Sequence, residues 1–288
     1  MAHRSDMATG VWLILLATLG IVLMNTCAKM SSAVHSPVEM VFYRGVVALA
    51  FIVPYMLSTR SKAVFKTRRI KAHLYRALVG NVGVGFVFWA YTLLPMADAT
   101  ALLFAAPLFV AALSPLLLKE RVGRFRWFAV GIGFVGILLI VRPSGGILSN
   151  PAALVGLAAA LSNALVDMAL RNLGRTDEAL TTVFYFLLIG VLASAPYTLF
   201  FGTLPSGEML PWIIGIGIFA AIQQVAKTTA YRFAEASLLA PYTYSAILWA
   251  AWIGWLLWRE VPDVSVVAGT VVVIACNLVI FTKERRRR

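Results

Sequence analysis

Residues 90–141 read AYTLLPMADATALLFAAPLFVAALSPLLLKERVGRFRWFAVGIGFVGILLIV, and residues 230–281 read AYRFAEASLLAPYTYSAILWAAWIGWLLWREVPDVSVVAGTVVVIACNLVIF. The second stretch lies over the first without a gap at a constant offset of 140, which sets Ala90-Tyr91 on Ala230-Tyr231 and Leu118-Lys119-Glu120 on Trp258-Arg259-Glu260. Upstream, at offset 142, Val41-Phe42-Tyr43 falls on Val183-Phe184-Tyr185 and Pro54-Tyr55 on Pro196-Tyr197. The chain therefore carries one hydrophobic unit twice. Asn150-Pro151 marks the join, so residues 1–150 form the first unit and 151–288 the second.

Composition sets the solvent of this repeat. With 61% hydrophobic residues, 13% charged residues and a mean hydropathy of +0.86, the chain departs from soluble domains, in which about a quarter of residues are charged. About 20 apolar residues carry a helix across the hydrocarbon core. Ten stretches meet that need: 10–30, 37–58, 73–94, 97–118, 124–142, 152–172, 179–201, 210–231, 236–258 and 263–281. Long continuous runs exclude a barrel, whose strands alternate, and open sheet edges are excluded in lipid. The fold class is an all-α polytopic membrane protein, ten transmembrane helices as two five-helix repeats. Five is odd, so the second repeat is inverted relative to the first, an arrangement typical of transporters.

The net charge of +13 would suit a nucleic-acid binder, but the placement of the charges argues for a membrane. All but five of the 25 Lys and Arg residues fall at the two termini or in and beside alternate connections: 60–76, 119–126, 171–175 and 232. Lys29, Arg142 and Arg259 fall at the opposite face, and Arg44 and Lys227 lie inside spans. By the positive-inside rule both termini are cytoplasmic, in the inner membrane of a bacterium. Span 1 reads as a retained helix, since it is too long for a signal peptide and lacks a small-residue cleavage site. Cys27 and Cys276, both in apolar spans, read as packed free thiols.

The stretch LSPLLLKERVGRFRWFAVGIGFVGILLIVRP at 113–143 resembles the drug/metabolite transporter superfamily, EamA branch, in which each repeat has a helix closing on a Glu, a short turn and a Gly-rich helix. WLLWREVPDVSVVAGTVVVIACNLVI at 255–280 is similar with fewer glycines. Phe42-Tyr43-Arg44-Gly45 resembles the family's intramembrane Arg motif, and Ala236-Ser237-Leu238-Leu239-Ala240-Pro241 its span 9 opening. Within the branch the chain looks most like the YddG-type exporters of aromatic amino acids and methionine. The resemblance implies a central cavity lined by spans 1, 3, 4, 6, 8 and 9, with spans 2, 5, 7 and 10 packed outside.

Polar side chains in hydrocarbon are costly unless partnered or wet, so their positions point to such a cavity. Asn25, Asn81, Asn163, Gln223, Tyr242 and Ser245 all fall on the implied lining helices. Asn163 and Asp167 are one turn apart, as are Gln223 and Lys227, so each pair shares a helix face. An Asp167–Lys227 contact is expected, and three readings stand open: a bridge locking two helices, a cavity pair that meets a zwitterion or gates the path, or either side chain snorkelling toward the cytoplasmic surface. Phe86, Trp89, Tyr91 and Trp249 are candidates to receive an apolar substrate side chain. Arg44 is expected to reach outward toward Glu39 or Asp98, and Glu120 and Glu260 to join surface networks at opposite faces. The helix-breaking Pro95, Pro107, Pro115 and Pro241 mark bend points in or beside spans 3, 4 and 9.

These residues read as a small-molecule transporter that exports apolar or aromatic metabolites, amino acids such as methionine and threonine included, as a monomer in the bilayer. A drug or quaternary ammonium carrier and a nucleotide-sugar carrier of the same superfamily are the alternatives. Span 1 carries Asn25 where small multidrug relatives carry a carboxylate, which favours facilitated export over proton antiport. No cofactor or metal is expected, and the lack of HExxH and GxSxG argues against an intramembrane enzyme.

Overall fold

The computed structural model describes residues 2–59, 65, 67, 69–117, 123–142, 150–173, 179–233 and 236–285. All regular structure among them is helical: α1 Ala2–Ser31, α2 Pro37–Thr59, α3 Ile70–Leu93, α4 Met96–Leu103, α5 Ala106–Leu117, α6 Arg124–Val141, α7 Pro151–Leu173, α8 Ala179–Phe201, α9 Leu210–Phe233, α10 Ala236–Thr243, α11 Ser245–Trp258 and α12 Val264–Arg285. These segments make ten membrane-crossing helices, because α4 with α5 and α10 with α11 are the halves of two interrupted ones. The apolar stretches Met7–Ser31, Pro37–Ser58, Met96–Leu117, Pro151–Ala169, Leu180–Phe201 and Leu210–Lys227 are each long enough to cross a bilayer. Their outer faces carry bare apolar side chains, with Leu199, Phe200 and Phe201 each at least 75% exposed, as lipid requires.

The two interruptions fall at equivalent places. Pro107 has no N–H, and its ring crowds the carbonyl four residues back. Phe104 and Ala105 instead bond to carbonyls three residues back, on Ala101 and Leu102. In the second unit Pro241 precedes the break, and Tyr244 donates to its carbonyl at 3.4 Å. Phe104 and Tyr244 are repeat mates, and their rings touch at 4.9 Å between centroids. Arg44 and Phe186 are repeat mates too, with the guanidinium 5.3 Å from the ring centroid. A residue that touches its own mate lies beside the axis relating the two copies. For inverted repeats that axis runs in the membrane plane, near mid-depth.

Helix packing is paired in the same sense. α1 lies along α9 as α7 lies along α3, α2 meets α9 as α8 meets α3, and α1 meets α11 as α7 meets α5. Small residues allow the closest approaches. A Cβ at Gly269 in α12 would stand 2.5 Å from the carbonyl oxygen of Gly136 in α6, and one at Gly136 would stand 2.9 Å from that of Gly269. Gly20 of α1 faces Gln223 of α9, and Gly215 faces Cys27, which fixes the antiparallel register of that pair. α1 begins and α12 ends on one face, the terminal face, where α2, α5, α7 and α9 also end and α3, α6, α8 and α10 begin. The other connections share the far face.

Candidate functional site

On the far face the chain builds a lock from local geometry. α11 is capped by Arg259, which takes a left-handed backbone (φ 57°) and donates its N–H to the carbonyl of Trp255. The next residue, Glu260, donates its N–H to the carbonyl of Gly254 at 3.2 Å, a Schellman-type closure that folds its side chain back over the helix end. Gly254 leaves room for that return, since a Cβ there would meet Glu260 Oε2 at 3.0 Å. Glu260 Oε1 accepts from Lys29 Nζ at 2.6 Å, and Oε2 accepts from the Met96 N–H at 2.8 Å. That N–H is an orphan donor at the start of α4, where a carboxylate is also favoured by the helix dipole. Lys29 donates further to the Leu94 carbonyl at 3.0 Å and stands over the Trp258 ring at 4.8 Å. The expected surface network is thus a half-buried tie between the two repeats. Glu120, its counterpart by sequence, lies outside the described residues.

About 6 Å below Lys29, by the rise of a helix turn, a cavity begins at Asn25. Its volume is about 220 Å³, and it runs along α1 from Asn25 past Thr18 to Ile14, toward the terminal face. Tyr91 of α3, Thr100 of α4, Phe104, Asn163 of α7, Gln223 and Lys227 of α9, Thr243 of α10 and Ala246 of α11 complete the polar wall and its apolar filling. Among the described residues α2, α6, α8 and α12 contribute nothing to it. Contact of Phe104 with its mate Tyr244 places the cavity beside the repeat axis.

Some polar groups of this wall are already spent. Tyr91 and Thr100 share a hydrogen bond of 2.8 Å, and Thr100 donates to the Met96 carbonyl. Thr18 shares one of 2.8 Å with Ser245, which braces the wall from behind. Asn163, Gln223 and Lys227 have no hydrogen-bonded protein partner among the described residues, and the buried Oδ1 of Asn25 has none.

Other sequence candidates lie elsewhere. Asn81 donates to the carbonyls of Ala77 and Phe186, and with Phe86 and Trp89 it lines a separate groove of about 510 Å³ between α2, α3 and α8. Tyr242 is exposed, and Trp249 packs beside Val22 and Tyr91 with its indole N–H unpartnered. Asp167 and Lys227 form no ion pair, and Asp167 acts instead on Arg76 of α3. The reason is helix neighbourhood: α7 packs on α3, so the deeper turn of its polar face meets Arg76 while Asn163 meets the cavity.

Arg44 does not reach Glu39 or Asp98. Glu39 is occupied on the far face by Ser36 and Thr203, whose N–H groups donate at 2.8 and 2.7 Å. Arg44 is 4% exposed, with Nε and Nη1 unpartnered, and shares the Phe186 ring with Arg76, which lies 5.0 Å from the ring centroid on its own account. Sequence reasoning missed Thr18, Thr100 and Thr243 as cavity residues, since a lone hydroxyl in an apolar helix usually bonds its own backbone. The Lys29–Glu260 tie was legible only in part, through the equivalence of Glu120 and Glu260.

Comparison with known proteins agrees with this architecture. The EamA-like transporter family model matches twice, over residues 8–142 and 150–282. A pseudopaline exporter of Pseudomonas aeruginosa, CntI, is 31% identical over 96% of this chain and 97% of its own length. A riboflavin transporter of Vibrio cholerae is 28% identical over 100% of the chain and 98% of its own. An S-adenosylmethionine uptake transporter of Rickettsia prowazekii is 28% identical over 85% and 81%. A crystal structure with a TM-score of 0.65 and 19% identity, covering 99% of both chains, shares the fold.

Proposed function

Given that the chain belongs to the EamA-like transporter family, we propose that it exports small metabolites of the amino-acid class, with apolar and aromatic amino acids favoured, by alternating access. Its relatives carry chemically unlike cargoes, so the cargo is argued from the cavity. One observation carries the proposal: a cavity beside the repeat axis, walled by helices of both repeats, with Asn163, Gln223 and Lys227 on its wall lacking a hydrogen-bonded protein partner among the described residues, and capped at one face by a tie between those repeats. Its volume of about 220 Å³ is below the roughly 300–1,000 Å³ of drug-sized pockets, which suits an amino acid better than a nucleotide sugar.

In this reading residues 1–150 and 151–288 rock about the cavity. The terminal face is cytoplasmic, so the present state receives cargo from within. Opening the far face requires Glu260 to leave Lys29 and the Met96 N–H. Charge-assisted bonds of this kind contribute on the order of 3 kcal/mol together, comparable with the gap between interconverting states. Among the described residues no carboxylate lines the cavity, which supports facilitated export.

Counterflow of labelled phenylalanine into proteoliposomes tests the proposal. Uptake that methionine and threonine compete, and a nucleotide sugar and tetraethylammonium do not, is the expected result. Absence of counterflow for every amino acid tried would move the cargo to another class.

A further inference from the structure

Among the described residues the cavity wall carries a positive charge and no negative one. Lys227 lines it, and no Asp or Glu does among the described residues. Two described acidic groups are engaged elsewhere: Glu260 with Lys29 and the Met96 N–H, and Asp167 electrostatically with Arg76. Gln223 stands one turn from Lys227 on α9, so an ammonium-bearing and an amide-bearing side chain line the same space from one helix face, with Lys227 exposed at the terminal end of the apolar span. That pairing fits a carboxylate, which accepts two or more hydrogen bonds and binds most strongly to charged donors.

The opposite end of the cavity has the complementary chemistry. Asn25 Oδ1 is a buried acceptor without a partner, and an unmatched acceptor costs about 1–3 kcal/mol. Gly20 lies level with Gln223, so Asn25 is five residues toward the far face from that level and Lys227 four residues toward the terminal face. Donors for a carboxylate therefore lie at one end, and an acceptor for an N–H at the other.

Resting on the cavity as the cargo site, we propose that Lys227 with Gln223 binds the cargo's carboxylate, that its amino group points toward Asn25, and that the transporter refuses solutes whose only charge is positive. Lys227 is thus the residue that sorts cargo by charge. A solute bearing an ammonium alone meets Lys227 as a like charge, with no carboxylate on the cavity wall among the described residues to offset the repulsion.

The test compares phenylalanine with phenylalaninamide, which differs only in the carboxylate, and with tetraethylammonium. Each is titrated against the purified full chain while its thermal unfolding is followed. Phenylalanine is expected to stabilise the protein, with the amide and tetraethylammonium at least about tenfold weaker, the loss of one charge-assisted bond. In Lys227→Gln the difference between acid and amide should collapse, and Lys227→Arg should retain it. Equal stabilisation by acid and amide in the native chain overturns the proposal, as does an acid preference that survives in Lys227→Gln, or stabilisation by no carboxylate at all. Should Lys227→Gln fail to fold, the native chain and Lys227→Arg decide. Counterflow with the same compounds separates the two proposals. Uptake of the cations with Lys227 dispensable sinks charge sorting and leaves the transporter standing, whereas uptake of none removes the amino-acid cargo itself.

Discussion

Glu260 shows how much one side chain can do once the backbone has aimed it. Three choices place it: a left-handed Arg259, a glycine at 254 that leaves space, and the orphan N–H of Met96. Glu260→Gln keeps the shape and one acceptor but leaves Lys29 without its counter-charge, with side chains only 13% and 21% exposed. We expect this variant to lose about 1–3 kcal/mol of the closed far face. It should show as a faster exchange rate in counterflow with little change in folded yield; an unchanged rate would mean that the tie does not gate. At this scale the sequence was legible in kind but not in pairing. Polar residues within apolar spans stand out in the sequence, and Asn25, Tyr91, Asn163, Gln223 and Lys227 line one cavity. Helical phase alone could not separate Asp167 from Asn163, because a residue one turn deeper on the same face meets a different neighbouring helix.

At the scale of elements, the glycines divide into those that permit contact and those that face nothing. Gly269 and Gly136 bring the α6 and α12 backbones together, whereas Gly131 on α6 has open space where a Cβ would go. Gly269→Val should therefore destabilise by about 1–3 kcal/mol, the usual cost of forcing methyl groups into a packed seam. Gly131→Ala should be neutral or mildly stabilising, since alanine is the better helix former by roughly 1 kcal/mol. Thermal unfolding in detergent distinguishes them, and equal effects would contradict the packing described. Helix existence was readable from apolar run length because lipid leaves the backbone no alternative. The breaks at Phe104 and Tyr244 were less so. Proline announces a bend nearby, but the bonding around it decides which residue leaves the helix.

The whole molecule is governed by two asymmetries visible before any coordinates: a repeat offset and an uneven distribution of basic residues. The first reappears as paired helix contacts and as mates that touch at Arg44–Phe186 and Phe104–Tyr244. The second is the ground for proposing that both termini are cytoplasmic, and reporter fusions at residue 288 should fluoresce as a cytoplasmic protein and be inactive as an exported phosphatase; the reverse would invert the proposed direction. The central claim is that one cavity is offered to the two faces in turn. Its most direct test is a single cysteine at Ala246 of the cavity wall, in a chain with Cys27 and Cys276 replaced by alanine, probed with a membrane-impermeant thiol reagent in vesicles of either sidedness. The account predicts labelling from the terminal face in the resting protein, a shift toward labelling from the far face in Glu260→Gln, and protection by phenylalanine. Labelling from both faces at once in the resting protein, or from neither in either form, would contradict it.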